Sequence, residues 1–285
     1  MADATIGVDL GGTKALFVRG ERASRIETGP TFTPGDFVAR LAAFVVGDRE
    51  PPSCIGVAVP GLVDDNGRVV ACDVLPALSG WSPRAALAAL GYERVVVVND
   101  VRAALLEELH DAPSGLTAAV VMVGTAVGAA FVANGQPLLG TSGWAGELGY
   151  LPCAFGDEVK RLDEVAGGAA MAARCGVEAQ QFAELARAGD AKALEAIRDG
   201  GAALGTALAA VVNLLNPSRI ALGGGVVELP GYWEPLARAA ARHSIAELWR
   251  DCRLSRVRAG DRVVAFGARR AAALDVDRNP TAARP

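Results

Sequence analysis

Two periodicities govern where apolar side chains fall in the first half of the chain. Three strands are predicted, at Thr5–Asp9, Lys14–Arg19 and Arg22–Glu27. Thr33-Pro34 pairs a capping hydroxyl with a proline suited to a first helical turn. Phe37, Leu41 and Phe44 follow at helical spacing. Cys54–Val59 predicts a short buried strand closed by Pro60-Gly61, and Ser82-Pro83 opens a helix through Leu87 and Leu90. Arg94–Val98 is a nearly unbroken valine run, as parallel strands covered on both faces tend to be. Asn99-Asp100 ends it, and a helix follows through Leu105, Leu106 and Leu109.

The second half repeats this plan. Thr117–Val123 and Gly128–Ala133 predict a hairpin. Helices are predicted over Val159–Arg174, Val177–Ala188 and Ala191–Leu215, a helical middle that reads as an insertion. Arg219–Leu222 predicts a strand running into Gly223-Gly224-Gly225. Helices near Trp233–Arg242 and Gly267–Leu274 flank a strand at Arg262–Ala265. The repeat is clearest in two passages. Val8-Asp9-Leu10-Gly11-Gly12-Thr13 and Met122-Val123-Gly124-Thr125 each turn between apolar runs at a Gly-Thr bend. Two such bends at matching places in an internal duplication predict two related lobes facing a shared cleft. The short Pro/Ser/Gly stretch near Ala112–Leu116 sets the boundary. The expected organisation is an N-terminal lobe over 1–113, a C-terminal lobe over 114–275 and a disordered tail over 276–285.

Composition narrows the functional classes. Apolar residues make up 51% and charged residues 21%, a balance suited to two ordinary globular domains in 285 residues. A net charge of −4 with no basic run gives no expectation of nucleic acid. No apolar stretch is long enough for a membrane span, and the start lacks the basic region of a secretory signal. Five cysteines without a C-x-x-C fit a cytoplasmic setting with free thiols. Two histidines make His-rich metal sites and Ser-His-Asp chemistry poor expectations.

Four segments carry candidate chemistry. In Asp9-Leu10-Gly11-Gly12-Thr13-Lys14 a carboxylate closes a strand, and a bare-backbone turn, a hydroxyl and an ammonium follow. Such a turn can present N–H groups to a phosphate, and Asp9 can hold Mg²⁺ directly or through water. A plain hairpin with a charged end is the alternative. The segment is neither a Walker A loop nor a dinucleotide fingerprint. Asn99-Asp100 stands at a strand end, where an acid can take a hydroxyl proton and an amide can bond a polyol. The same pair also suits a helix cap. Gly146-Glu147-Leu148-Gly149-Tyr150 places a carboxylate between glycines, either for a close approach or as a surface turn. Gly223-Gly224-Gly225 allows a flat ligand such as adenine to lie on the backbone, or serves as a flexible turn.

Taken in order, these passages resemble the ROK family (repressors, open reading frames and sugar kinases), within the group sharing the hexokinase–Hsp70–actin ATPase fold. Val59-Pro60-Gly61-Leu62-Val63-Asp64 and Asn213-Leu214-Leu215-Asn216-Pro217 belong to the same likeness, which spans about residues 5 to 270. The resemblance implies an α/β protein of two duplicated ribonuclease-H-like lobes, with mixed sheets flanked by helices and a cleft between them. It implies an ATP- and Mg²⁺-dependent sugar kinase, cytoplasmic and homodimeric, with Asp100 as general base for a sugar hydroxyl, usually that on C6. Asp9 would act through Mg²⁺. Gly11, Gly12, Thr13 and Lys14 would cradle phosphate from one lobe and Gly124 and Thr125 from the other. Gly224 and Gly225 would face adenosine. Asn99, Glu147, Tyr150, Asp163 and Gly61 would line the sugar site.

The chain departs from the family at the sugar end. Tyr150 stands where members carry a histidine that contacts both sugar and zinc. The C-x-C-G-x-x-G-C segment shrinks to Leu151–Val159 with one cysteine, so no structural zinc is expected. Asp163 falls where a second sugar-binding glutamate is usual, Ala77 replaces an asparagine, and Ala126 replaces a glycine. Such changes move specificity. They keep open a sugar or nucleotide sensor without turnover. A DNA-binding repressor ranks last, because the first strand begins near Thr5 and the chain is acidic.

Overall fold

The structure, a computed structural model, describes residues 4–48 and 50–278. In chain order it begins with β1 (Thr5–Leu10), β2 (Lys14–Arg19), β3 (Arg22–Glu27), α1 (Pro34–Val45) and β4 (Cys54–Val59). There follow the short pair β5 (Leu62–Val63) and β6 (Val69–Ala71), α2 (Pro83–Ala88), β7 (Val95–Asn99) and α3 (Asp100–Glu108). The next stretch holds β8 (Ala118–Val123), β9 (Val127–Ala133), β10 (Gln136–Pro137), β11 (Pro152–Phe155), β12 (Glu158–Arg161), α4 (Asp163–Ala166) and α5 (Gly168–Cys175). Then come α6 (Ala179–Ala188), α7 (Ala191–Leu215), β13 (Arg219–Gly223), α8 (Trp233–His243), α9 (Ala246–Asp251), β14 (Arg253–Arg256) and α10 (Val263–Arg278).

These elements form two compact units. The first takes the chain up to Asp111, the segment Gly140–Trp144 and the stretch from Arg262; the second takes Ala112–Leu139 and Ala145–Asp261. Each holds a five-stranded mixed sheet, ordered β3-β2-β1-β4-β7 in the first and β10-β9-β8-β13-β14 in the second. The two orders are one plan. A hairpin, β1–β2 or β8–β9, is followed by parallel pairings, β1–β4–β7 or β8–β13–β14. The duplication in the sequence is therefore a duplication of topology, and the fold class is α/β with helices on mixed sheets.

Local chemistry explains the best-defined starts. Thr33 caps α1 by accepting from the Asp36 N–H, and the Asp36 carboxylate accepts from the Thr33 N–H in return. Phe37, Leu41 and Phe44 then face Phe17 and Ile55 in the first core. In the second unit, α7 contributes Leu204, Leu208 and Val212 to a core with Leu236 of α8 and Ile220 of β13.

The last helix corrects the expected domain boundary. α10 packs in the first unit, on the face of β1 and β4, and not with the 114–275 lobe. The cause is a glycine floor. Gly7 and Gly56 are direct neighbours across β1 and β4. A Cβ on Gly56 would stand 2.5 Å from the Ala268 carbonyl carbon, and one on Gly7 would stand 2.7 Å from the Arg269 nitrogen. Only bare backbone lets the helix lie this close. Ala265, Ala268 and Ala272 are fully buried against the floor. The expected strand at Arg262–Ala265 is instead the end of a 3-10 turn, Gly260–Arg262, and the first turn of this helix; the strand is β14. A short Val-Val-Ala run has no period that separates the two. The helix also runs through Arg278, into the expected tail; residues 279–285 lie outside the described residues.

Two further expectations change. The helical middle starts at Asp163, because Pro152–Arg161 turns at Gly156-Asp157 into the hairpin β11–β12. β7 is the edge strand of its sheet, so only Val95 is buried and the valines after it are half-covered. Among the described residues no helix is long and apolar enough to cross a membrane.

Candidate active site

The sequence-predicted residues divide between the two units, eight in the first and seven in the second. In the first unit they gather at one end of one sheet. β1, β4 and β7 run parallel and end at Leu10, Val59 and Asn99. The Gly11–Thr13 bend, Pro60-Gly61 and Asp100 come directly after these three strand ends. This is the carboxyl edge, where open α/β sheets bind ligands. Asp9 pairs with Ala58, and Val59 pairs with Asn99, so the carboxylate and the amide differ by one step of register.

The bend itself is tight. The Gly11 N–H donates to the Lys14 carbonyl at 3.0 Å, and the Thr28 hydroxyl donates to the Gly11 carbonyl at 2.7 Å. Thr13 is exposed; Gly11, Gly12 and Lys14 are half-buried. Asn99 is both a cap and a tie. Its Oδ1 accepts from the Val101 and Arg102 N–H groups at 3.0 and 3.2 Å, and its Nδ2 donates to the Gly61 carbonyl at 3.1 Å. The cap alternative is thus realised, and the amide is engaged inside the protein. Asp100 is the first residue of α3; its Oδ1 accepts from the Val101 N–H at 2.8 Å.

In the second unit the residues gather at the equivalent edge. β8 leads into Gly124-Thr125, and β13 leads into Gly224-Gly225. Thr125 and Ala126 are exposed. The carbonyls of Gly124 and Thr125 accept from the Gly168 and Ala169 N–H groups at 2.8 and 3.1 Å, so the start of α5 holds the bend from below. Gly224 has φ +97° and its Cβ would stand 2.6 Å from the Val123 carbonyl carbon. A side chain there is excluded by backbone conformation and by space. At Gly225 a Cβ would meet nothing within 4 Å, so room remains beside it.

Glu147, Tyr150 and Asp163 surround the start of β9. The Gly146 carbonyl accepts from the Ala129 N–H at 2.9 Å, which lays the Glu147 segment along that strand. Glu147 is exposed and Tyr150 is half-exposed. Asp163 accepts from the Val127 N–H at 2.6 Å, so this carboxylate also steadies the second bend.

Sequence reading missed three supports. These are the α5 terminus at Gly167-Gly168, Arg102, which donates to the Gly143 carbonyl, and Trp144, whose indole donates to the Val63 carbonyl at 3.2 Å. The glycine pair was a readable signal; the other two contacts are made across long sequence separations.

Magnesium and zinc pose different tests. Among the described residues no cluster of three or more His, Cys, Asp or Glu side chains could hold a metal ion. Mg²⁺ needs no such cluster, since it keeps several waters and binds through one or two carboxylates plus phosphate. Half-buried Asp9 beside the first bend fits that mode. A structural zinc does not fit the residues after Tyr150.

The sequence profile of the ROK family matches residues 5–274. A kanosamine kinase from Amycolatopsis mediterranei is 29% identical over 244 residues, covering 77% of this chain and 80% of that protein. The ROK hexokinase of Thermus thermophilus superposes with a TM-score of 0.75 at 28% identity, over 96% of this chain and 99% of that one. A ROK family glucokinase from Streptomyces griseus, solved with glucose and AMPPNP, gives 0.79 at 24% identity over 95% and 99%, a likeness of fold.

Proposed function

The chain belongs to the ROK family, and on that premise we propose that it transfers the γ-phosphoryl group of ATP to a hydroxyl, that on C6, of a hexose or amino-hexose. Phosphotransfer to a sugar is the activity at the level of the family, whose relatives here are named kinases. One observation carries the finer reading. In each unit the motif residues follow the ends of parallel strands in the same five-strand plan.

Asp100 is the proposed base. It takes the proton from the sugar hydroxyl as that oxygen attacks the γ-phosphorus in line, and ADP leaves. The N–H groups of the Gly11–Thr13 bend, with the Lys14 ammonium, neutralise phosphate charge from the first unit; Gly124 and Thr125 do so from the second. Gly225 leaves space for adenosine. Glu147 and Tyr150 meet sugar hydroxyls, while Asn99 and Asp163 act through the backbone they hold. Asp9 would hold Mg²⁺ through water, and the ion when bound offsets triphosphate charge.

The test is ADP release across a panel of hexoses and amino-hexoses, with Asp100→Asn beside the parent. Loss of the base lowers kcat by about 10²–10⁴-fold. A panel without any stimulating sugar, or an Asp100→Asn variant matching the parent, defeats the reading. A second reading is binding without turnover. It draws on the engagement of Asn99 and Asp163 by backbone groups. A sugar that raises the melting temperature without ADP release would establish it.

A further inference from the structure

The hairpin β11–β12 occupies the stretch where the family resemblance places a structural zinc, and its donor set is wrong for that metal. Structural zinc takes four thiolate or imidazole ligands. The hairpin offers one thiol, Cys153. Burial, and then the Glu164 charge, push it above the usual thiol range, away from the thiolate form that binds metal. Register sets Lys160 directly opposite Cys153, and Arg161 and Arg174 flank the same hairpin.

The same cations are what hold the hairpin. Strand alternation turns Cys153, Phe155 and Lys160 to the half-buried face. There the Lys160 ammonium lies 5.4 Å from the centre of the Phe155 ring, and the Arg174 guanidinium of α5 lies 4.8 Å from it. Arg174 is fixed in turn by Asp199 of α7 at 2.6 Å, and its buried Nη1 finds no hydrogen-bond acceptor among the described residues. On the other face the Arg161 guanidinium lies 4.8 Å from the Tyr150 ring centre. Glu164 of α4 accepts from the Arg161 N–H at 2.8 Å. Each face of the hairpin is therefore clamped by a cation on an aromatic ring, an attraction of ring quadrupole for charge.

We propose that these stacks form a metal-free staple that fixes the hairpin to α5 and α7 on one side and to the Glu147–Tyr150 segment on the other. The proposal does not rest on the kinase reading, and its tests read stability and metal content. The purified protein is analysed for zinc, then melted with and without a strong chelator. The expected result is no stoichiometric zinc and an unchanged melting temperature. Arg174→Met keeps the alkyl packing and removes the cation. It lowers the melting temperature by about 2–4 °C and speeds tryptic cleavage at Lys160-Arg161. Stoichiometric zinc, a melting temperature lowered by the chelator, or an Arg174→Met variant that melts and is cleaved like the parent overturns the proposal. Should that variant fail to fold, the zinc analysis and the chelator arm on the parent still decide.

Discussion

Gly56→Ala puts the seating of the last helix to a direct test. The added methyl would stand 2.5 Å from the Ala268 carbonyl carbon and nearer still to its oxygen, where ordinary contact begins at 3.4 Å. Both partners are backbone, so no rotamer relieves the overlap. The helix must back away by about 1 Å, and a gap of that size forfeits roughly a quarter to a half of the dispersion attraction along its lining. The losers are Ala265, Ala268 and Ala272, each 0% exposed. Overpacking of this kind costs about 1–3 kcal/mol, and the immobile partners place Gly56→Ala at the upper end. At 2–4 °C per kcal/mol, the melting temperature falls by roughly 6–12 °C. Gly124→Ala is the control, because its methyl meets nothing within 4 Å. It stays within about 0.5 kcal/mol of the parent. Thermal unfolding followed by far-ultraviolet circular dichroism reads both variants. If Gly56→Ala melts within the control's margin, the helix does not lie on the glycine floor and the reasoning fails.

Gly224→Ala faces both a positive φ and the Val123 carbonyl. It raises the KM for ATP and lowers stability together, and steady-state kinetics with a melting curve check both; an unchanged KM would remove Gly224 from the nucleotide site. Asp48 is held below the ordinary carboxylate range by its hydrogen bonds to Arg22 and Arg19, against a smaller opposing effect of burial. A depressed folded pKa adds stability above the ordinary value of 3.8 and loses it as pH falls through the folded value. Urea midpoints should therefore separate parent from Asp48→Asn at neutral pH and converge in strong acid; a constant gap would be contrary. Burial pushes the thiols of Cys54, Cys72 and Cys252 up to about 11. A thiol reagent on the native protein should label half-buried Cys153 and Cys175 first, with the other three waiting for unfolding. Five equal rates, read by mass spectrometry, would contradict the burial.

Much of the candidate site could be read before folding because it is local. A Gly-Thr bend between apolar runs, a capping Asn-Asp pair after a valine run and a triple glycine after a strand each bring their own backbone geometry. The roles of those residues depended on neighbours. The Asn99 amide donates to Gly61, 38 positions away, and Asp163 accepts from Val127. Nothing in the residues themselves says which polar groups a distant turn will claim.

From its order of residues alone, this chain settled most of its elements and its duplication, because hydrophobic period, caps and glycine bends act over a few positions. Tertiary structure decided where α10 belongs and how the β11–β12 hairpin is held. The Val-Val-Ala run of α10 suits a strand as well as a helix, and only the bare backbone of Gly7 and Gly56, some 200 residues upstream, offers it a surface close enough to bury its alanines. Long-range packing of that kind depends on shape complementarity between distant segments, and local periodicity carries no trace of it.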